Sequence, residues 1–338
     1  MGLQLAKTFY RTSETLDHRM RALRAVLGER AASGEPLARH TSFRIGGPAD
    51  LFAAAHSAAE LVEMVSLARQ HHVPYLILGR GSNLLVADAG FRGLVIQNAS
   101  REMRTQFLSA ADGAALQNGA SNGVLCRVEA ESGVFLPGLA QYTVQLGLAG
   151  LEWAAGIPAT LGGAIVNNAG AFGGAMSDIV ETVTLLRADG SIVACPGADL
   201  QFGYRTSRLK EAAADKEIVL KAALLLHREA ASALAARMEE YLAQRRERQP
   251  REPSPGSIFK NPPGDYAGRL IEQAGLKGLR IGDAQVSPKH ANFIVNLDHA
   301  QASDVYALIV AVRTEVQRRF GITLELEIEL VGEWGTLT

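Results

Sequence analysis

The chain has 338 residues, of which 47% are hydrophobic and 20% are charged, a composition typical of a folded protein with two or three domains. Its 34 Lys and Arg residues against 35 Asp and Glu residues give a formal net charge of -1, which excludes a general attraction to nucleic acid or acidic membranes. The two cysteines, Cys126 and Cys195, lack CxxC spacing and neighbouring His clusters, which argues against a metal site and fits a reducing compartment.

The N-terminal residues show neither an export signal nor a lipidation signal. No apolar segment followed by small residues is present, and Ala6 stands where a myristoylation signal needs Ser or Thr. Apolar stretches such as 305–312 are far shorter than the roughly 20 residues that cross a bilayer. We therefore predict a cytoplasmic protein that does not insert into membranes.

The first part of the chain predicts two helices and two strands. Apolar residues at helical spacing among arginines predict an amphipathic helix over 13–31, interpreted as a packing element; a membrane-surface role is the minor alternative because acidic residues interrupt its positive face. Ser57 and Glu60 form a capping box that predicts a helix from about 58 to 71. Residues 74–78 and 93–96 are short apolar runs typical of neighbouring buried strands.

In the middle of the chain, some segments predict secondary structure clearly and others do not. Residues 99–127 indicate only irregular strands, whereas alternating apolar residues from 182 to 226 predict antiparallel strands. A helix is predicted from about 230 to 245, and the charged, proline-containing run at 245–253 that follows it is the clearest candidate domain boundary.

The C-terminal part predicts two helices and two strands. The first helix covers 266–273 and a strand follows at 293–296; Ser303 is expected to cap the second helix. The segment 324–331 predicts a final strand in which Glu325, Glu327 and Glu329 lie on one side, opposite apolar residues.

These elements predict an α+β protein. A small α/β domain and an antiparallel-sheet domain form a two-domain scaffold, and a third α+β domain follows it. The predicted divisions are an N-terminal extension with the amphipathic helix, two scaffold subdomains, and a third domain whose final strand contributes to the active site. Their ranges are 1–36, 37–98, 99–245 and 246–338.

Two glycine-rich segments are candidates for a binding site. Residues 79–83, Gly-Arg-Gly-Ser-Asn, directly follow a predicted strand, where a backbone without Cβ atoms can approach a phosphate. They do not form a dinucleotide-binding fingerprint, because Leu84 occupies the last glycine position and no helix follows at once; an ordinary turn is the alternative. The segment 156–174 suits a backbone wrapped around a large flat ligand, and its apolar residues favour burial over a flexible linker.

Several motifs in order resemble the UDP-N-acetylenolpyruvoylglucosamine reductase family. The resemblance covers residues from about 37 to 333, and its ordered motifs make chance agreement very improbable. The motifs are HTSFRIGG at 40–47, GRGSNLLV at 79–86, the segment 156–174, FGYRTS at 202–207, GSIFKNP at 256–262, the segment 267–296 and LELEIELVG at 324–332.

The resemblance implies an enzyme that completes UDP-N-acetylmuramate for the bacterial cell wall. FAD would be bound noncovalently by the two scaffold subdomains, NADPH would be the cosubstrate, and the third domain would bind the enolpyruvyl ether of a UDP-sugar. The short gap between Arg205 and Ser257 resembles the form of the family that lacks an extra substrate-covering tyrosine loop. A monomer without a metal ion, with small molecules as its partners, is expected.

The resemblance also implies roles for individual residues. Arg205 would stabilise the negative charge that develops on the substrate carboxylate, Ser257 would protonate the enol carbon, and Glu327 would assist enol stabilisation. The residues expected to contact substrate are Tyr204, Lys260, Asn261, Gln285 and His290. The residues expected to contact FAD are Arg44, Gly79, Arg80, Gly81, Ser82, Asn83, Thr160, Gly162, Gly163 and Gly170.

Departures from the family pattern leave the proposed catalytic groups in place. Arg80, Ala159 and Asp283 each replace a glycine. Two alternative functions stay open from the sequence alone: another FAD-dependent oxidase or dehydrogenase on the same scaffold, and a non-catalytic nucleotide-binding relative.

Overall fold

The computed structural model describes residues 13–108, 125–211 and 217–335. Part of the segment for which irregular strands were expected, 109–124, and the first twelve residues lie outside these ranges. The helices are α1 (Ser13–Leu27), α2 (Ala58–Gln70), α3 (Leu136–Gln145), α4 (Leu161–Val166), α5 (Arg208–Glu211), α6 (Ala231–Arg248), α7 (Ala267–Gln273) and α8 (Ala302–Phe320).

The strands form several small sheets within the same ranges. They are β1 (Ala31–Pro36), β2 (Pro48–Ala55), β3 (Tyr75–Leu78), β4 (Leu84–Val86), β5 (Phe91–Asn98), β6 (Met103–Phe107), β7 (Leu125–Glu131), β8 (Leu148–Ala149), β9 (Gly170–Ala171), β10 (Gly174–Ala175), β11 (Val180–Leu186), β12 (Ile192–Pro196), β13 (Ile218–Arg228), β14 (Arg280–Ile281), β15 (Ala284–Val286), β16 (Ile294–Asn296) and β17 (Glu329–Val331).

The first sheet has the order β1-β2-β5-β3, in which β2, β5 and β3 are parallel and β1 is antiparallel to β2. The predicted pairing of the two apolar runs is confirmed. Helix α1 packs on this unit with Leu23 and Leu27 fully buried, as its amphipathic pattern predicts. The predicted domain limits stay predictions. Residues 31–36, which the sequence analysis assigned to the N-terminal extension, form the edge strand β1 of this sheet.

The second sheet has the order β12-β11-β13-β7-β6, and its pairs are antiparallel as predicted. Helices α3 and α4 contribute Leu139 and Leu161 to its core, together with Trp153. The glycine-rich segment 156–174 therefore lies on a packed core rather than in a flexible linker.

The third sheet, β14-β15-β16, packs against α7 and α8. Its core also receives Phe43, Ile45 and Leu85 from the first part of the chain. The predicted α+β class, with a third α+β domain beside a two-part scaffold, is confirmed, and this third region shares buried apolar contacts with the first one.

The final strand differs from the continuous strand predicted over 324–331. Leu326 forms an isolated antiparallel bridge with Phe259, the chain bends at Glu327 and Ile328, and only β17 then continues as a strand, parallel to β4. The bend occurs because the two halves of the segment pair with different partners, and those partners are invisible to a local pattern.

The two helix caps expected from the sequence are only partly correct. Ser57 Oγ accepts a hydrogen bond from the Glu60 N–H at 3.1 Å, as predicted, but the Glu60 carboxylate accepts from His56 N–H at 2.8 Å instead of closing the box on Ser57. Ser303 does not cap α8, because it lies inside the first turn, where its own N–H needs an acceptor. Asp88 supplies that acceptor, taking hydrogen bonds from the N–H groups of Ala302 at 2.7 Å and Ser303 at 3.0 Å.

No described helix has both the length and the apolar character that spanning a membrane requires. This finding concerns the three described ranges alone.

The Asp88 cap generates a stability prediction. Replacing Asp88 with Ala leaves two N–H groups at the start of α8 without their acceptor, which should cost about 0.5–2 kcal/mol and lower Tm by roughly 2–4 °C. Thermal unfolding followed by circular dichroism measures this. Asp298→Ala is the control, since the Asp298 side chain is exposed and, in the described part of the chain, its carboxylate pairs only with His299. An equal loss of Tm in both variants would contradict the assignment.

Candidate active site

The Ser257 turn lies beside the end of the chain. The N–H of Glu327 donates to the carbonyl of Ile258 at 2.8 Å, and the N–H of Lys260 donates to the carbonyl of Glu325 at 2.9 Å. Asn292 fixes the other side of the turn through both its carbonyl and its side chain, which bond to Ile258 and Phe259. Ser257 therefore directly precedes Ile258, the residue whose carbonyl holds the backbone of Glu327.

Arg205 and Glu327 form a partly buried ion pair. Arg205 Nε lies 2.9 Å from Glu327 Oε1, and the two side chains are 25% and 17% exposed. The approach lacks the alignment of a hydrogen bond, and within the described ranges this buried Nε has no other acceptor. Arg205 Nη1 donates to the carbonyl of Gly170 at 3.0 Å, so the guanidinium joins the second glycine segment to the C-terminal strand.

The backbone of Arg205 is strained. Its φ of 57° lies in the left-handed region, which costs a residue with a Cβ about 1–3 kcal/mol and is found most often at functional sites. The turn is held by a short bridge between Gly203 and Thr206 and by Asn168, whose side-chain N–H donates to the Gly203 carbonyl at 3.0 Å. The local fold therefore holds the Arg205 side chain toward Glu327 despite the strain.

The three glutamates of the final segment face three different cations. Glu325 lies 3.5 Å from Lys260, Glu327 lies 2.9 Å from Arg205, and Glu329 lies 3.7 Å from Lys210. Their side chains are 76%, 17% and 44% exposed, in that order. Glu327 is thus the one glutamate of the three that is mostly buried, and the one that contacts Arg205.

Burial raises the pKa of the Glu327 carboxyl above its usual range. The positive charges of Arg205, Lys210 and Lys260 act in the opposite direction and lower it, but burial has the larger effect. The carboxyl is therefore easier to protonate than an exposed glutamate while it remains next to three cations.

Arg245 is a charged residue at this site that the sequence analysis missed. It lies in α6, half-buried, where burial and the nearby charge of Arg205 lower the pKa of its guanidinium. Gly156 leaves room for it, because a Cβ at Gly156 would lie 2.4 Å from Arg245 Cδ. The sequence predicts a domain boundary in the run that begins at 245, and no local pattern marks Arg245 as a site residue. Tyr241, one helical turn earlier, stacks its ring on Phe172.

The two glycine loops expected to bind FAD touch each other. A Cβ added at Gly79 would lie 2.5 Å from Thr160 Oγ1, and one added at Gly162 would lie 2.8 Å from Ser132 Cβ. Gly81 has a φ of 58° and fits closely against the carbonyl of His40. The glycines permit backbone approach here, and the loops form one continuous cradle.

Other residues of the expected FAD set have different placements. The guanidinium of Arg80 lies 5.4 Å from the ring centroid of Phe135, and Arg44 is exposed with a φ of 55°. The Asn83 side chain donates to the Glu327 carbonyl at 3.2 Å, and the Asn83 carbonyl accepts from the Glu329 N–H at 2.9 Å. Asn83 therefore links the first glycine loop to the strand that carries Glu327.

A cavity of about 520 Å³ opens beside Arg205. The hairpin formed by β9 and β10 makes one wall, with the ring of Phe172 in it, and the 58%-exposed ring of Tyr204 lies on the other side. Glycines of the hairpin and Arg205 are among the residues that line this cavity.

The expected substrate residues fall into two groups. Asn261 Oδ1 accepts from the N–H of Ala267 at the start of α7, and His290 lies against Gly268 of the same helix, where a Cβ would be 3.2 Å from the ring. His290 Nδ1 accepts from the Asn292 N–H at 3.2 Å, and burial lowers the pKa of its ring. Both residues lie next to the turn that carries Ser257 and Lys260.

Gln285 lies apart from that group. Its side-chain N–H donates to the Gly278 carbonyl at 3.2 Å, and it lines a separate cavity of about 230 Å³ with Arg251 and Lys289. None of the expected catalytic residues lines this cavity. Gln285 is on the face of β15 opposite to the buried Ala284 and Val286, so the strand alternation directs it away from the core.

Family comparisons match two parts of the chain. Residues 49–196 match the family described as an FAD binding domain, and residues 249–331 match the C-terminal domain of UDP-N-acetylenolpyruvoylglucosamine reductase. The UDP-N-acetylenolpyruvoylglucosamine reductase 2 of Symbiobacterium thermophilum is 45% identical over 317 residues, covering 93% of this chain and 96% of the relative. The corresponding reductase of Moorella thermoacetica is 47% identical over 302 residues, 89% of this chain and 93% of the relative.

A solved structure is also similar. The crystal structure of UDP-N-acetylenolpyruvylglucosamine reductase from Thermus caldophilus is 37% identical, with a TM-score of 0.70 over 89% of this chain and 98% of that one.

The charge arrangement around Glu327 generates a titration prediction. Arg205 lowers the pKa of the Glu327 carboxyl, so Arg205→Met should raise that pKa further, because burial then acts with less opposition. NMR titration of ¹³C-labelled glutamate carboxyls measures this, with Glu327→Gln identifying the resonance. Arg318→Met, which removes an exposed arginine of α8, is the control and should leave the Glu327 titration unchanged. A Glu327 resonance that titrates at the same or lower pH in Arg205→Met would contradict the assignment.

Proposed function

The chain belongs to the UDP-N-acetylenolpyruvoylglucosamine reductase family, and from this premise we propose that Arg205, Ser257 and Glu327 carry out the reduction of an enolpyruvyl ether of a UDP-sugar. The chain is an FAD-containing oxidoreductase of peptidoglycan precursor synthesis, as its family membership establishes. The observation that carries the residue assignment is the contact of Arg205 with Glu327 beside the Ser257 turn.

The cradle formed by the two glycine loops suits FAD. A Cβ at Gly79, Gly81 or Gly162 would collide with neighbouring protein atoms. Gly163 is exposed, and beyond its own helix and chain neighbours no described atom lies nearer than 3.6 Å to its Cβ position. The backbone at Gly163 is thus accessible to a ligand, and Ser82 and Thr160 offer hydroxyl groups nearby in the chain. When bound, FAD supplies hydride transfer from a nicotinamide donor to the substrate, and NADPH is the proposed donor.

Arg205 is proposed to hold the substrate carboxylate. Hydride addition to an α,β-unsaturated carboxylate moves negative charge onto the carboxylate oxygens, and a planar guanidinium binds that charge with two parallel hydrogen bonds. Arg205 contacts Glu327 and the Gly170 carbonyl in this structure, so a substrate carboxylate would compete with Glu327 for it. A proton on Glu327 removes that competition, and the burial of Glu327 favours such a proton.

Ser257 is proposed to donate the proton to the enol carbon. Within the described ranges its Oγ forms no hydrogen bond with the protein, which leaves the hydroxyl available to a ligand. A serine hydroxyl is a weak acid, so the proton must be replaced through a neighbour. Glu327 lies beside the same turn, and Lys260 follows three residues later as a second candidate.

Four further residues are proposed substrate contacts because of where they lie. Tyr204 lines the cavity beside Arg205, and the Ser257 turn has Lys260, Asn261 and His290 in it or next to it. Arg245 adds positive charge to this region and suits an anionic substrate. Gln285 was expected in this set but lines the separate cavity, so its contribution stays a prediction from the resemblance alone. A cytoplasmic monomer likewise remains a proposal.

The glycine cradle generates a prediction about cofactor binding. Gly79→Ala places a Cβ 2.5 Å from Thr160 Oγ1 and forces the two loops apart, which should weaken FAD binding roughly tenfold or more, because such overpacking costs about 1–3 kcal/mol. Titration of the apoprotein with FAD, followed by protein fluorescence, measures the Kd. Gly138→Ala in α3 is the control, since no atom lies within 4 Å of its Cβ position. Unchanged FAD affinity in Gly79→Ala would contradict the proposal that the two glycine loops bind FAD.

The role of Ser257 generates a kinetic prediction. Ser257→Ala should leave reduction of the flavin by NADPH nearly intact and should slow its reoxidation by the enolpyruvyl substrate by roughly 10²–10⁴-fold, as expected for loss of a general acid. Stopped-flow absorbance with each reactant added separately resolves the two half-reactions. Ser254→Ala, three residues earlier in the same turn, is the matched control and should retain both rates. Equal losses in the two half-reactions of Ser257→Ala would instead indicate a purely structural serine.

A further inference from the structure

Lys210 connects the second glycine segment to the end of the chain. Its ammonium donates to Asn167 Oδ1 at 2.7 Å and lies 3.7 Å from Glu329 Oε1, and its side chain is 20% exposed. Asn167 follows α4 directly, and Glu329 is the first residue of β17. One side chain of α5 therefore bridges two elements that come from distant parts of the sequence.

The strand that Lys210 contacts is held from both sides. The Glu329 N–H donates to the Asn83 carbonyl, and the Asn83 side chain donates to the Glu327 carbonyl, so the first glycine loop fixes the backbone on one side. Lys210 holds the Glu329 side chain on the other side. Because Glu327 lies at the bend just before β17, the anchoring of Glu329 restricts where the Glu327 carboxylate can lie.

Arg205, Asn167 and Lys210 also lie in one structural unit. Ser207 Oγ donates to the carbonyl of Val166 at 2.7 Å, and this bond ties the turn after Arg205 to the end of α4. The turn and α4 are thus tied together, and Lys210 joins them to the C-terminal segment that carries Glu327.

We propose that Lys210 is a positioning residue for the reduction, which holds Asn167 and Glu329 together so that Glu327 is presented to Arg205. This inference rests on the role proposed above for Glu327. Lys210 need not touch substrate or cofactor to act in this way, because its effect passes through the terminal strand.

The electrostatics of the site agree with this placement. The cations that face Glu327 are Arg205, Lys210 and Lys260; Glu325 and Glu329 are its acidic neighbours on the same segment, and Arg245 lies beside Arg205. The charge of Lys210 lowers the pKa of Glu327, against the larger effect of burial. Loss of the Lys210 charge should therefore raise the pKa of Glu327.

The test compares three variants by stopped-flow. Lys210→Met removes the charge and both contacts, Lys210→Arg retains a positive charge, and Asn167→Ala removes one contact while keeping the charge. The rate of flavin reoxidation by the enolpyruvyl substrate is measured against pH, together with flavin content and Tm for each protein.

Lys210→Met is expected to slow reoxidation roughly 10- to 100-fold, as small misplacements of catalytic groups do, and to shift the Glu327 inflection to higher pH. Lys210→Arg should recover most of the rate and restore the inflection. Asn167→Ala should leave the inflection where it is in the unmodified protein. Reduction by NADPH should stay nearly unchanged in Lys210→Met.

Glu327→Gln separates failure of this inference from failure of the proposed function. If Glu327→Gln keeps the normal rate and inflection, the role of Glu327 is wrong and the inference on Lys210 fails with it. If Glu327→Gln loses the inflection but Lys210→Met keeps both rate and inflection, only the inference on Lys210 is overturned. It is also overturned if Lys210→Met loses flavin and Tm while its pH profile stays in place.

Discussion

The contact between Arg205 and Glu327 is the interaction on which the candidate site depends, because it brings the second sheet domain and the end of the chain together. Burying such a pair removes solvation from both charges, and the attraction between them often only offsets that loss. The pair is therefore weak evidence for stability. The left-handed backbone of Arg205 adds a further cost. A contact that combines burial, charge and backbone strain is better explained by function than by folding.

The bend at Glu327 follows from the same constraint. A continuous strand over 324–331 would have one partner, whereas the observed segment pairs first with the turn after Ser257 and then with β4 beside the first glycine loop. This change of partner places Glu327 at the junction of three parts of the molecule: the Ser257 turn, the first glycine loop and the Arg205 turn. Asn83 makes the contact of the first glycine loop with this junction, through its side chain to the Glu327 carbonyl and its own carbonyl to the Glu329 N–H. The proposed flavin loop and the proposed proton-donating turn are thus linked through shared backbone contacts.

Local pattern predicted the regular elements and missed the features set by distant partners. The predictions of helix α2 and of β3 and β5 as neighbouring strands were correct because capping residues and apolar runs lie within each segment. The expected cap at Ser303 was wrong because the true acceptor, Asp88, comes from a remote loop. Arg245 was missed for a similar reason: only the tertiary structure shows that the end of α6 faces Arg205. Gln285 is the opposite case: its position matches the family motif, but its side chain lines a cavity other than the one beside Arg205.

The resemblance indicated a glutamate near the C-terminus, but alternation left three glutamates on one side of the segment. The structure distinguishes them by charge and burial: each faces its own cation, and of the three only Glu327 is mostly buried and contacts Arg205. This distinction has a chemical consequence. An exposed glutamate beside a lysine forms a surface ion pair that contributes little to stability. A buried one beside an arginine changes its proton affinity when the arginine is engaged elsewhere. If a substrate carboxylate binds the guanidinium of Arg205 as proposed, Glu327 loses part of its stabilising charge and gains affinity for a proton. Substrate binding would thereby prepare the site to supply the proton that the reaction consumes.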